Sequence, residues 1–243
     1  MERLSHKRIL QNLDQFLQLC TLIGLRNGKE RFTQYRGTIV HLMSAIKTHP
    51  LSEQALIALM EAAEVSLLLP YLQQCNRDDI FPKLKECLGG PFMPNDENPK
   101  SNQARNIQFE LFLASTLWRA GFQPVLGLHP DLKCRVGNKW LFIECKRLFS
   151  SSPRALRDNI GKAATQLQEN RRNASPGTRG LIAISLSRIL NPSQAARQSP
   201  NEQQGRKELA AWLRNKAEEV RDAWEPLSHK KILILSDFVV HSL

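Results

Sequence analysis

The first ninety residues carry apolar side chains at the spacing of amphipathic helices. RILQNLDQFLQLC places six of them on one helical face, at Ile9, Leu10, Leu13, Phe16, Leu17 and Cys20. LSEQALIALMEAAEVSLLL is a second long helical segment, and Glu61 and Glu64 interrupt its apolar run well short of the ~20 residues that a membrane span needs. The pattern predicts an all-helical region over residues 1–90, a bundle or cap in which no catalytic motif is evident.

A loop-like segment then separates this region from a different pattern. LGGPFMPNDENPKSNQ, residues 88–103, is rich in glycine, proline and Asn/Asp. Helical and strand patterns alternate after it: helix 104–120, strand 123–129, hairpin 131–147, helix 154–171, strand 180–187, helix 205–224 and strand 231–239. This alternation predicts an α/β domain over residues 91–243, with a mixed β-sheet flanked by helices on both faces.

The charge of the chain is concentrated in that second region. Lysines and arginines outnumber acidic residues by 34 to 23, and the net charge is +2 over residues 1–90 but +9 over residues 91–243. A surface of this sign suits nucleic acid, although solubility alone is the other interpretation. The five cysteines show no CxxC or zinc spacing, and the N-terminus lacks an apolar signal core. We therefore expect a soluble, cytoplasmic protein with free thiols and no membrane contact.

Candidate chemistry begins in HPDLKCRVGNKWLFIECKR, residues 129–147. Two strands around a two-residue Gly137-Asn138 turn would pair Val136 with Lys139 and, continuing outward, Asp131 with Glu144. One face of this hairpin would be apolar and pack on a helix, and the other would carry both carboxylates. Directly opposed residues have Cα atoms about 4.5 to 5.5 Å apart, and like charges there are destabilising.

A divalent cation between the two carboxylates would offset that repulsion. Mg²⁺ prefers carboxylate oxygen and keeps coordination positions open for water and phosphate. Lys146, on the same face, would add a fixed positive charge. The alternative is a solvated strand end at which Asp131 and Glu144 splay into water.

A third carboxylate lies in the preceding helix, NIQFELFLASTLWRAG. At about 100° per residue Glu110 falls within the apolar arc of Ile107, Leu113, Ala114, Leu117 and Trp118, and the opposite side carries Arg105, Gln108, Ser115 and Arg119. An unpaired carboxylate in a buried stripe costs several kcal/mol. Either Glu110 bonds a buried partner or the helix brings it to the same metal.

The order Glu110, His129-Pro130-Asp131 and Glu144-Cys145-Lys146 resembles the PD-(D/E)XK nuclease superfamily. The resemblance covers roughly residues 102–190 and implies a restriction-endonuclease-like α/β core and metal-dependent phosphodiester hydrolysis. Asp131, Glu144 and the Cys145 main-chain carbonyl would then ligate Mg²⁺ or Mn²⁺. The resemblance also implies that Lys146 orients the attacking water, and that Glu110 holds a metal-bound water or a second ion.

The helix after Lys146 carries one further candidate. Some branches of the superfamily have a Gln there, followed four residues later by Tyr. Gln166 matches the Gln and would approach the site, whereas Asn170 stands in place of the Tyr. An exposed helical Gln is the alternative interpretation of Gln166. Basic residues on the same helix, Arg154, Arg157 and Lys162, would meet phosphates or form a solvated basic face.

The resemblance favours a nuclease acting on nucleic acid, with DNA preferred over RNA because most relatives cut DNA. Host defence, restriction and DNA repair would each suit such an enzyme. The alternative from another class is a non-catalytic nucleic-acid-binding or assembly module on the same fold. The helices of residues 1–90 would serve a homodimer contact or a protein partner.

Overall fold

The chain divides into two compact units, residues 1–121 and residues 122–243. The computed structural model describes residues 5–25, 30–45, 52–98, 101–149, 152–185 and 201–222. The predicted strand over residues 231–239 lies outside the described residues.

The first unit is helical, as the apolar spacing predicts. Its elements are α1 (His6–Leu22), α2 (Arg31–Ala45), α3 (Glu53–Leu72), α4 (Arg77–Cys87), a short 3₁₀ turn (Pro94–Asp96) and α5 (Gln103–Arg119). Side chains of Ser5, Ser52 and Asn76 cap α1, α3 and α4 by accepting a hydrogen bond from a backbone N–H of the first turn. Local capping and apolar periodicity therefore agree on where these helices begin.

Helix α3 is the centre of this bundle and packs against α1, α2 and α5. Among the described helices it alone is long and apolar enough to cross a membrane, but most of its residues are buried inside the unit. Its contacts within the unit are those of the core helix of a bundle.

Helix α5 differs from its predicted orientation. Its pattern predicts that Arg105, Gln108 and Ser115 face outward, yet all three are buried. The reason is that α5 lies between two neighbours in its own unit, α3 and α4, so its polar side is covered as well as its apolar one. Although the loop composition predicts a boundary near residue 90, α5 is part of the compact helical unit.

The second unit contains a four-stranded mixed sheet, which confirms the predicted α/β class. Its elements are β1 (Val125–Leu126), β2 (Leu132–Val136), β3 (Lys139–Arg147), α6 (Pro153–Arg172), β4 (Arg179–Ser185) and α7 (Glu202–Asp222). The sheet order is β1-β2-β3-β4, with antiparallel pairs up to β3 and a parallel pair between β3 and β4. The strand predicted over residues 123–129 is reduced to two residues because the chain turns at Gly127.

Helix α6 covers one face of the β3–β4 pair. An apolar stripe on α6 is buried there, formed by Leu156, Ile160, Ala163 and Leu167. The contact is close at Gly180, where an added Cβ would lie 3.3 Å from the Leu167 side chain. Gly180 pairs with Phe142, so α6 lies on the face of the sheet that carries Phe142 and Glu144.

Candidate active site

The hairpin register predicted from the sequence is confirmed. Five cross-strand pairs run from Val136–Lys139 to Leu132–Ile143, and Gly137 in the turn has a φ of 61°, which glycine adopts without strain. Asp131 is the next residue outward and continues the register toward Glu144. Its Oδ2 accepts a hydrogen bond of 2.8 Å from the Cys145 N–H. The Cys145 amide therefore ties Asp131 to the strand that carries Glu144.

The turn before β2 also fixes Asp131. The Gly127 N–H donates to the Asp131 carbonyl at 3.0 Å. A Cβ at Gly127 would lie 2.5 Å from the Pro130 carbonyl oxygen, closer than real Cβ contacts allow. The turn therefore requires glycine at this position, and it places Asp131 immediately before Leu132, the first residue of β2.

Glu144 is the most deeply buried carboxylate among the described residues of the second unit, at 1% exposure. Its Oε1 accepts a hydrogen bond of 3.1 Å from Asn170 Nδ2 on α6. Its Oε2 is buried and has no hydrogen-bond donor among the described residues, and the Lys146 Nζ lies 3.7 Å away, beyond hydrogen-bonding distance. One oxygen of Glu144 is therefore held in place and the other is left without a donor.

Burial is the main reason that the pKa of Glu144 is raised to about 7. The neighbouring carboxylate of Asp131 raises it further, and Lys146 opposes both effects. The Lys146 ammonium is thus too far away to compensate for the desolvation of Glu144 and its repulsion from Asp131. An additional cation between the two carboxylates would remove that deficit.

The oxygen ligands on this hairpin fit a hard divalent cation. Asp131 and Glu144 present adjacent carboxylates, and Glu144 Oε2 is buried without a donor, as expected of an oxygen that accepts a metal bond. Within the described part of the chain, no group of three or more His, Cys, Asp or Glu side chains is suitably placed for a metal. The site is therefore a carboxylate pair, to which the Cys145 carbonyl and water would have to add ligands.

An open cleft of about 770 Å³ lies beside Lys146. It is lined by Lys146 and by one side of α6, comprising Arg157, Asp158, Asn159, Gly161, Lys162, Thr165 and Gln166. Gln166 therefore shares a cleft with Lys146, while Asn170, one turn further along α6, reaches Glu144. Arg157 and Lys162 are exposed, so the cleft presents cations to solvent next to the carboxylate pair.

Glu110 belongs to the helical unit and has a partner there. Its carboxylate pairs with the ammonium of Lys83 on α4, and both side chains are buried. A buried partner is one of the two alternatives that its place in the apolar stripe allows. The carboxylate pair of the second unit, in contrast, lacks such a partner among the described residues, apart from Lys146 at 3.7 Å.

Sequence reasoning missed the buried polar network of the helical unit. Arg105 donates to Glu61 at 2.8 Å, to Glu97 at 3.1 Å and to the Tyr35 hydroxyl at 2.8 Å, and Gln108 donates to Glu61 at 2.9 Å. The available signal was the presence of Glu61 and Glu64 within the long apolar run of helix α3. Carboxylates in such a helix need buried cationic partners.

The contact of Asn170 with Glu144 was also missed, because the superfamily resemblance identifies this position only as one where a tyrosine is absent.

No protein-family model matches this chain, and no curated protein and no solved structure is significantly similar to it.

Proposed function

We propose that this protein is a nuclease that depends on Mg²⁺ or Mn²⁺, with a restriction-endonuclease-like core and an active site on the β2–β3 hairpin. The observation that carries the proposal is the buried Glu144 Oε2, which lies beside Asp131 and Lys146 and receives no hydrogen bond from any described residue. Asp131, Glu144 and the Cys145 carbonyl would hold the ion. When bound, it supplies Lewis acidity and lowers the pKa of a water molecule.

Each side chain then has a task that its position supports. The Cys145 amide orients Asp131, and Asn170 orients Glu144, so both carboxylates are held before substrate arrives. Lys146 carries a fixed ammonium at the mouth of the cleft, where it can donate to the attacking water or to a phosphate oxygen. Glu110 is engaged by Lys83, and the proposed chemistry does not require it.

Nucleic acid is the substrate class that the charge of the cleft supports. Residues 122–149 and 152–185 contain 11 lysines and arginines but only 4 acidic residues, and two of those four are Asp131 and Glu144. Lys146, Arg157 and Lys162 line the cleft together with one carboxylate, Asp158, so a phosphate backbone lying in the cleft would meet a net positive charge. We propose DNA as the preferred substrate.

The test is cleavage of supercoiled DNA, linear duplex, single-stranded DNA and RNA by the full chain, in Mg²⁺, in Mn²⁺ and in EDTA. We expect cleavage only with metal, and a loss of at least about 10²-fold in Asp131→Asn and Lys146→Ala, because each removes a charge from the reacting centre. Asp131→Asn keeps the shape of the side chain. Lys139→Ala is the matched control, since Lys139 lies on the same hairpin but points to the opposite face.

Two results would reject the proposal. Wild-type cleavage in Asp131→Asn or Lys146→Ala would show that the chemistry lies elsewhere. Metal-independent binding without cleavage of any of the substrates would instead support the non-catalytic binding module.

A further inference from the structure

The hairpin carries a second group of cations on the same face as the carboxylate pair, towards its turn. We propose that Lys133, Arg135 and Arg171, here called the hairpin cation surface, bind the phosphate backbone of a nucleic acid that extends from the active site. The inference rests on the proposed function for the kind of partner, but it concerns binding and can be tested without cleavage.

Cross-strand rows place these cations in line with the site. Lys133 pairs with Phe142, which in turn pairs with Gly180, and Arg135 pairs with Trp140. Successive rows on one face of a strand are roughly 7 Å apart. The row of Lys133 therefore lies next to the carboxylate pair, and the row of Arg135 lies one step further towards the turn.

Arg171 reaches the same face from α6. Its Cδ would be 3.6 Å from a Cβ built on Gly180, so its stem lies over the row that begins with Lys133. Its side chain is exposed, as is that of Arg135. Strand β2 and the last turn of α6 thus contribute cations to one surface.

The surface is ordered by an aromatic ring and not by carboxylates. The Lys133 Nζ lies 5.7 Å and the Arg135 Cζ lies 4.9 Å from the centre of the Trp140 ring. Among the described residues, Lys133, Arg135 and Arg171 have no carboxylate within ion-pair distance. A carboxylate would cancel their charge, whereas an indole orients a cation and leaves its full charge available.

This arrangement fits a polyanion with regularly spaced charges. Ordering by Trp140 restricts the Lys133 and Arg135 stems before binding, which lowers the entropy that a partner must offset. The surface is also continuous with the proposed site, so a strand cut at Asp131 and Glu144 would meet it in the adjoining rows. An acidic protein or an anionic membrane would gain nothing from that continuity.

The experiment measures binding of a labelled DNA duplex and of a single strand in EDTA, over a series of salt concentrations. In Lys133→Ala/Arg135→Ala we expect weaker binding and a slope of log affinity against log salt that is smaller by about 1 to 2. Arg171→Ala, an exposed single change on a helix, should lower the slope by about 1. The matched control is Lys7→Ala/Arg8→Ala, which removes the same charge from exposed positions of α1.

Two substitutions of Trp140 separate the effect of the cationic charge from the effect of orienting Lys133 and Arg135 on the ring. Trp140→Ala should weaken binding severalfold with nearly the wild-type salt slope, because all cations remain, and Trp140→Phe should restore most of the affinity. Hydrogen exchange of β2 and β3 checks that each variant is folded. If Arg171→Ala and the hairpin double variant bind no differently from the α1 control, the surface does not contact nucleic acid.

The remaining outcomes separate this inference from the proposed function. If the wild-type protein never cleaves, but the hairpin cation surface variants bind nucleic acid more weakly than it does, the nuclease proposal is rejected and the hairpin cation surface is retained. If the variants cleave and bind nucleic acid as the wild type does, the nuclease proposal is retained and the hairpin cation surface is rejected. The wild type could also bind polyglutamate or phosphatidylserine vesicles as tightly as nucleic acid, with the same loss of affinity in the variants. That result would assign the surface to another class of partner and overturn the proposal.

Discussion

Glu61 in the helical unit and Glu144 in the α/β unit are both buried carboxylates, yet their surroundings differ in kind. Burial acts to raise the pKa of Glu61, but Arg105 and Arg31 outweigh it and lower that pKa to about 2. Glu144 has one amide donor and a lysine at 3.7 Å, and its pKa is raised to about 7. One carboxylate is therefore fully compensated by its neighbours and the other is not.

This difference separates a structural network from a site prepared for a ligand. Both oxygens of Glu61 accept hydrogen bonds, from Arg105 and from Gln108, so the network has no place for an additional cation. Glu144 has one oxygen anchored by Asn170 and one that no donor in the described part of the chain reaches. Uncompensated burial lowers stability, and such positions are concentrated at functional sites.

The largest predicted effect comes from the same substitution at both carboxylates. Glu61→Gln should lower the free energy of unfolding by about 3 to 5 kcal/mol, because it leaves Arg105 and Arg31 buried with less negative charge. Glu144→Gln in metal-free protein should cost little or even stabilise, since it removes the repulsion from Asp131. Denaturant unfolding, with hydrogen exchange to assign the loss to α3 and α5 or to β3, measures both.

The pH dependence of the two variants supplies the control. The folded pKa of Glu144, about 7, lies above its ordinary 4.5, so wild type should lose stability relative to Glu144→Gln as the pH rises from 4.5 to 7. Glu61 has the opposite sign: its advantage over Gln is present above pH 4.5 and is lost as the pH falls towards 2. Equal losses in both variants at neutral pH would contradict the comparison.

A smaller effect is predicted at Glu110, which tests whether it resembles Glu61 or Glu144. Glu110→Gln should cost about 3 kcal/mol, because Lys83 is left buried without its counter-charge. Replacing both partners, Lys83→Met with Glu110→Leu, should recover much of that loss. Cleavage by the double variant should remain close to wild type when measured well below its unfolding midpoint.

The Mn²⁺ concentration that cleavage requires tests the opposite possibility, that Glu110 is a metal ligand. If Glu110→Gln left stability unchanged but raised the Mn²⁺ concentration needed for cleavage, Glu110 would be a ligand, as the superfamily resemblance implies. The double variant would then be inactive however well it folded.

The sequence predicts the hairpin well because its geometry is local. A two-residue turn and the period of two fix which residues oppose each other, so the register that leads to Asp131 and Glu144 follows from a few neighbouring residues. The face of α5 is different. Helical periodicity treats Arg105 and Gln108 as solvent-facing, and their buried partner Glu61 is more than forty residues away in the chain.

The contact of Asn170 with Glu144 is another feature that no local pattern predicts. The helical spacing does place Gln166 and Asn170 on one line of α6. Which of the two reaches a carboxylate depends on how α6 crosses β3 and β4, and therefore on the packing of Leu167 against Gly180. Asn170 stands where the resemblance has a tyrosine, and the packing of α6 on the sheet nevertheless brings its amide to Glu144.

The smallest predicted effect is at Asn170, whose amide anchors the Glu144 Oε1. Asn170→Ala should weaken Mn²⁺ binding by about 10-fold or more, because hydrogen bonds that hold a ligand in place typically contribute that much to metal affinity. Calorimetric Mn²⁺ titration measures this directly. Asn173→Ala is the matched control, since this exposed residue lies just past the end of α6 and has no contact with Glu144 among the described side-chain hydrogen bonds.

Cleavage at increasing Mn²⁺ distinguishes positioning from a general loss of folding in Asn170→Ala. If Asn170 only orients Glu144, saturating metal should restore most of kcat, because Asp131, Glu144 and Lys146 are unchanged. A fall in kcat that metal does not restore, with normal Mn²⁺ affinity, would mean that Asn170 acts on the substrate. Unchanged affinity and unchanged kcat would mean that Glu144 needs no anchor, and that its burial on the face of β3 covered by α6 is sufficient to hold its side chain.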